Sequence, residues 1–290
     1  MSGAARLRAL ALLLSCAAVF AAILSINKIA RDASVPYFGY FFWYCLGGGL
    51  VCGIAVLLSR TNPLPASFRH IRTYAVISVT GILAPMGLMI HLADKLPPSL
   101  IGLVVLLSPP LTYLIALVFK LERFRWLSVA RLALALAGVL ALALPSASLP
   151  EPGMLERFLL ALGAPVCLAV ANVSMALMRP QGTSSGQLAA GILLTGATIL
   201  LPFALITGGM YTFPASNPTG NWALLVVAPC ATLRWWLMLE LMRRAGAFFL
   251  SLFYYPAILA SMALGVLLFG DISPRGSGWR WSSWQGASLS

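Results

Sequence analysis

The sequence predicts an all-α protein that crosses a membrane many times. Nine apolar segments run at 7–26, 36–58, 74–93, 97–119, 126–144, 156–178, 187–207, 221–241 and 246–269. A hydrocarbon core roughly 30 Å thick needs about 20 apolar residues in a helix. Of the 290 residues, 60% are hydrophobic and 9% charged, whereas a soluble domain carries about 25% charged residues. The breaks between segments are short and marked by charge, Pro and Gly, as at Arg31-Asp32, Arg60 to Pro65, Pro145 to Pro152 and Gly208 to Gly220. None of them has room for a soluble domain. Lipid offers the backbone no hydrogen-bond partner, so each segment is expected to be helical.

The first span follows Arg6 and Arg8, and Leu13-Leu14-Ser15-Cys16 faintly resembles a lipoprotein cleavage site. The apolar run continues through Val19 to Leu24, which favours a retained helix over a cleaved leader. The second span opens with an aromatic cluster, Tyr37 to Tyr44, that includes Trp43. It continues with Gly47-Gly48-Gly49 and Gly53, which suit close helix contact. The third ends near His91 and Asp94, and the fourth starts after Leu96-Pro97-Pro98. The fifth contains Arg131, the sixth Asn172, and the eighth Arg234 and Glu240. After the ninth span, Trp284 to Leu289 reads as the beginning of a tenth helix, and the chain given stops at Ser290.

The net charge is +12. The basic residues sit mostly in short loops, where they orient helices and meet lipid headgroups, so nucleic acid is not an expected partner. With a cytoplasmic N-terminus, the inner side holds Arg6, Arg8, Arg60, Arg69, Arg72, Lys120, Arg123, Arg125, Arg179, Arg243 and Arg244. The outer side holds Lys28, Arg31, Lys95, Arg157, Arg275 and Arg280. Eleven against six predicts that orientation.

The two halves of the chain look alike. Leu107 to Thr112 carries Pro109 mid-helix before a span closed by Lys120 to Arg123. Tyr254 to Leu259 carries Pro256 mid-helix before one closed by Phe269-Gly270-Asp271. Similar halves with an odd number of spans each insert in opposite orientations, which is the inverted-repeat plan of many secondary transporters. The run Leu106 to Glu122, with Trp126 and Ala137-Gly138-Val139, resembles the first EamA repeat of the drug/metabolite transporter superfamily. Gly246 to Asp271 resembles the matching part of the second repeat. The resemblance implies ten helices in two inverted five-helix repeats, here 7–144 and 156–290, with the last helix truncated. It also implies a multi-pass plasma (inner) membrane location and export or exchange of small metabolites or drugs. Arg131 stands where family members carry a glycine.

Ionisable groups inside a membrane are functional candidates by default. Arg234 reads either as a receptor for an anionic substrate group or as a snorkelling arginine, with Glu240 as a proton-coupled partner or an interfacial acid and Trp235 and Trp236 as interfacial anchors. His91 and Asp94 share a helical face and form a proton-relay candidate or a hydrated loop pair. Asn172 binds substrate or bridges helices. Trp43, Tyr44, Tyr113, Tyr254 and Tyr255 are candidates for lining the substrate cavity, the alternative being helix packing. Pro109 and Pro256 are expected to kink their helices and to serve in gating. The five cysteines show no metal spacing, and no phosphate-binding glycine loop occurs, so no metal or cofactor is expected. No HxxxxD, HExxH or GxSG pattern occurs, and an enzyme is not expected. The leading expectation is a secondary transporter of a small molecule. The alternative is a non-transporting or lipid-flipping subunit that needs a partner. Expected partners are substrate and membrane lipid, with a homodimer left open.

Overall fold

The computed structural model describes residues 3–59, 64–93, 104–124, 126, 129–130, 133–134 and 154–269. They form helices joined by short turns, and no strand occurs among them. The helices are α1 (Gly3–Asp32), α2 (Tyr37–Leu58), α3 (68–93), α4 (Ser108–Val118), α5 (154–177), α6 (Ser185–Ile206), α7 (Pro218–Ser251) and α8 (Tyr254–Phe269). Six of them, α1, α2, α3, α5, α6 and α7, are long and apolar enough to cross a membrane, and α4 and α8 are shorter apolar helices. The protein is thus multi-pass. Its outer surface agrees, because Leu58, Val118, Ile206 and Leu267 are all more than three-quarters exposed, a wasteful arrangement in water and the expected one in lipid. Most of the predicted fifth span and all of 270–290 lie outside the described residues.

Helix ends follow local chemistry. α1 runs six residues past its predicted end, and its last turns are tied down by Tyr40, whose hydroxyl donates to Asn27 Oδ1 at 2.7 Å. α3 starts at Phe68, earlier than the apolar run, with an amphipathic first turn containing Arg69 and Arg72. It widens into a π-helical turn at Val79–Leu83 before resuming as Ala84–Ala93. α6 begins in a capping box: Ser184 Oγ accepts from the Gln187 N–H, and Gln187 Oε1 from the Ser184 N–H. α7 passes straight through the predicted break after residue 241. Its direction changes only at Gly246, whose φ of 85° is open to glycine and strained for other residues.

The two prolines do not kink helices from within. Pro109 is the second residue of α4 and Pro256 the third of α8, and each helix restarts after a short turn, at 106–107 and 252–253. A first-turn proline lacks an N–H that would have no intrahelical partner anyway. The feature common to the two halves is therefore a helix break with proline just inside the new helix.

α2 and α6 face each other at the centre. α1 packs on α7 and α8, α5 on α3 and α4, α2 also on α7, and α6 also on α3. The glycine run makes this closeness feasible: a Cβ on Gly48 would lie 2.9 Å from that of Ala231, and one on Gly49 would lie 2.8 Å from the Leu194 side chain. Thr232 Oγ1 then donates to the Gly48 carbonyl at 2.6 Å, sealing α7 to α2. Gly48→Val should force these helices apart and cost about 1–3 kcal/mol. Thermal unfolding in detergent would register this as a lower midpoint, and an unchanged midpoint would contradict the close contact.

Candidate functional site

A guanidinium inside a bilayer is costly, and its cost is set by what surrounds it. Arg234 lies on the inward side of α7. Its Nη1 donates to the Tyr44 hydroxyl at 3.1 Å, and its Cζ lies 4.7 Å from the Phe20 ring centre and 5.6 Å from that of Trp235. Tyr254 stands edge-on to Phe20, at 6.1 Å between ring centres, and stacks on Phe253 at 4.2 Å. Four helices, α1, α2, α7 and α8, thus each bring an aromatic ring or the cation to one point. Ring faces attract a desolvated cation by about 2 kcal/mol or more, and they accept none of its in-plane N–H groups. Nε of Arg234 and Nε1 of Trp235 are buried without a hydrogen-bond partner. No carboxylate among the described residues forms an ion pair with Arg234.

Glu240 does not meet Arg234. It is 5% exposed, and its Oε1 accepts from Arg243 Nη2 at 2.6 Å and Arg244 Nε at 2.7 Å. Ser185 Oγ donates to Oε2 at 3.1 Å, and Arg179 Nη2 donates to Ser185 Oγ at 3.2 Å and to the Thr183 carbonyl. Six residues of helix turn Glu240 away from Arg234 by about 120° from a shared face, so the two charges serve different surroundings.

The other candidates are dispersed. Asn172 is buried on α5, and its Nδ2 donates to Thr112 Oγ1 of α4 at 3.3 Å. Thr112 Oγ1 in turn donates to the Ser108 carbonyl, and Ser108 Oγ is buried without a partner. Tyr113 is buried against Phe248, 5.0 Å between ring centres, and its hydroxyl donates to the Arg123 carbonyl. Trp43 is half-buried and donates through Nε1 to the Tyr211 carbonyl at 2.8 Å. Tyr255 is half-buried and joins none of these groups through its side chain. His91 is exposed near the end of α3, and Asp94 lies outside the described residues.

Two members of the central site were not singled out from the sequence. Phe20 is the lone aromatic residue of α1, and that isolation was the available signal. Trp235, expected as an interfacial anchor, is instead fully buried, with its ring against Gly81 of the π-helical turn, where a Cβ would lie 3.3 Å from it. Trp236, its neighbour, is 42% exposed.

Residues 7–144 match the sequence model of the EamA-like transporter family. The first half of the chain is thus similar to that family. That family belongs to the drug/metabolite transporter superfamily. A solved crystal structure of a protein superposes on this one with a TM-score of 0.71, at 19% sequence identity, over 93% of this chain and 92% of the other. At that identity the likeness concerns the fold alone. No curated protein matches the chain significantly.

Glu240→Ala should leave Ser185 and two guanidiniums without their acceptor and cost about 1–3 kcal/mol. Differential scanning of the purified variant should give a lower midpoint than the wild type, and an equal midpoint would show that the cluster contributes nothing to stability.

Proposed function

We propose that the protein is a secondary transporter of small metabolites or drugs and that the substrate presents an anionic group to Arg234. The observation that carries this reading is the state of that arginine. It is held by a phenol and ring faces rather than by a carboxylate, with a donor left over in a buried place. A purely structural arginine in such surroundings would be expected to have an acidic partner. One kept ready this way can take a carboxylate or phosphate through charge-assisted bonds. Phe20, Tyr44, Trp235 and Tyr254 then give the rest of the substrate an aromatic wall, which suits a planar or apolar body.

Alternating access between inverted repeats, 7–144 and 156–290, has support in how the helices pair. Exchanging α1, α2, α3 and α4 with α5, α6, α7 and α8 turns the α1–α7 contact into α5–α3, α1–α8 into α5–α4, and α2–α7 into α6–α3, and it returns α2–α6 to itself. The seals correspond in kind, for Thr232 of α7 bonds a carbonyl of α2 and Ser78 of α3 bonds that of Ile192 in α6. The breaks before α4 and α8 take the hinge positions, with Pro109 and Pro256 as gating residues. The Lys and Arg excess, eleven against six, favours a cytoplasmic N-terminus, and the family resemblance favours the plasma membrane. Glu240, already paired twice, holds α7 to α6 in this reading, so the proton-coupling candidates that remain are His91 and Asp94.

The first experiment is thermal unfolding of purified protein against amino acids, nucleosides, sugar phosphates and cationic drugs, because a ligand that binds the folded state stabilises it by mass action. An anionic or zwitterionic ligand should give a saturable shift. Arg234→Ala should weaken that ligand at least about tenfold, which is ~1.4 kcal/mol. An undiminished shift in the variant, or a response confined to cationic drugs, would overturn the role of Arg234. In liposomes, Pro109→Ala and Pro256→Ala should each change the transport rate more than membrane insertion, and unchanged turnover in both would remove the hinge assignment.

A further inference from the structure

A groove of about 670 Å³ opens between the ends of α2, α6 and α7, and Arg234 takes no part in it. Its lining on α7 is one helical stripe, and the stripe is graded. Pro229, Leu233 and Trp236 form an apolar half, whereas Glu240, Arg243 and Arg244 form a charged half. Leu233 and Trp236 remain 45% and 42% exposed, so the apolar half is open on the surface that meets lipid. Pro229 and Arg244 are 15 residues apart, which is about 22 Å along a helix rising ~1.5 Å per residue. One leaflet with its headgroups is roughly 20–22 Å deep. The groove is therefore as long as a leaflet is thick, greasy toward the bilayer centre and charged toward the membrane surface.

The charged half is unbalanced. Arg243 and Arg244 share the single carboxylate of Glu240, and Arg179 adjoins them through Ser185. Three guanidiniums face one carboxylate. The Arg243 and Arg244 side chains are 57% and 45% exposed, and each guanidinium carries five N–H groups, most of them free to turn toward a ligand at the mouth.

We infer that this groove is a binding site for an anionic phospholipid. The phosphate lies on Arg243 and Arg244, and one acyl chain runs along Trp236, Leu233 and Pro229. Basic pockets between membrane helices attract anionic headgroups by about 1 kcal/mol per Lys or Arg near the surface, and the apolar half of the groove selects a ligand with a tail. The site stands apart from Arg234 and does not depend on the transport reading.

The test uses the full-length protein in nanodiscs of phosphatidylcholine, into which phosphatidylglycerol with brominated acyl chains is titrated. Bromine quenches tryptophan at short range, and Trp236 lines the groove. Brominated phosphatidylglycerol should quench at a several-fold lower mole fraction than brominated phosphatidylcholine. This preferential component should vanish in Trp236→Phe. Arg243→Gln, which leaves Glu240 its bonds to Arg244 and Ser185, should weaken it about fivefold. Equal quenching by the two lipids, a preference that persists in Trp236→Phe, or an Arg243→Gln titration that overlays the wild type would each overturn the assignment. Glycerol phosphate added in solution should not compete at millimolar concentration. If it does, the site takes a soluble phosphate and the lipid assignment fails. Should Arg243→Gln fold poorly, raising the salt concentration on the wild type gives the same reading, because a charge-driven preference must fall with salt.

Discussion

Lipid supplies no hydrogen bonds, and most of this structure follows from that lack. Every polar group carried into the bundle has to be answered from within the chain. Thr232 and Ser78 answer with carbonyls on neighbouring helices, and Asn172 with Thr112. The glycines of α2 let the helix axes come close enough for such bonds to form. Among the described residues the accounting fails to close at Arg234 Nε, Trp235 Nε1 and Ser108 Oγ, buried groups without a hydrogen-bond partner. Two of these three belong to adjacent residues at the aromatic centre, and the third lies at a helix break. Such placement is more informative than the number of unsatisfied atoms, since buried polar groups are normally paired.

The arginines divide by their surroundings. Arg234 is half-buried beside rings that attract positive charge without neutralising it. Arg243 and Arg244 are half in water and are tied to a carboxylate. The same residue type is thus used as a reserved donor in one place and as a surface clamp in the other. Position along α7 decides which: ten residues separate Arg234 from Arg244, about 15 Å of helix, enough to pass from the interior of the bundle to the headgroup region.

The positions of the six long apolar helices were largely legible in the sequence, because hydropathy over a 20-residue window is a strong signal against lipid. The start of α3 was not, since Arg69 and Arg72 make its first turn amphipathic and take it out of the apolar run. The continuation of α7 through 242–245 was hidden by Arg243 and Arg244, which look like a loop until Glu240 is seen to hold them against the helix. The depth of Trp235 was beyond reach, because the room for its ring comes from Gly81, far away in the chain. Arg234 could be picked out as a charge within a span. The rings around it come from four helices, and nothing in the spacing of Phe20, Tyr44 and Tyr254 announces that they meet.

Gly246 makes α7 a ruler as well as a helix. Its left-handed backbone anchors the elbow at one residue, and Arg234 sits twelve residues before it. With ~3.6 residues per turn, one residue added or removed in that interval would rotate everything before it by about 100° relative to everything after it. Arg234 would swing off Tyr44 and Phe20, although no residue at the site had been altered. The count between the cation and the elbow is therefore under the same constraint as the cation itself, and the chain can tolerate changes of sequence there far more readily than changes of length.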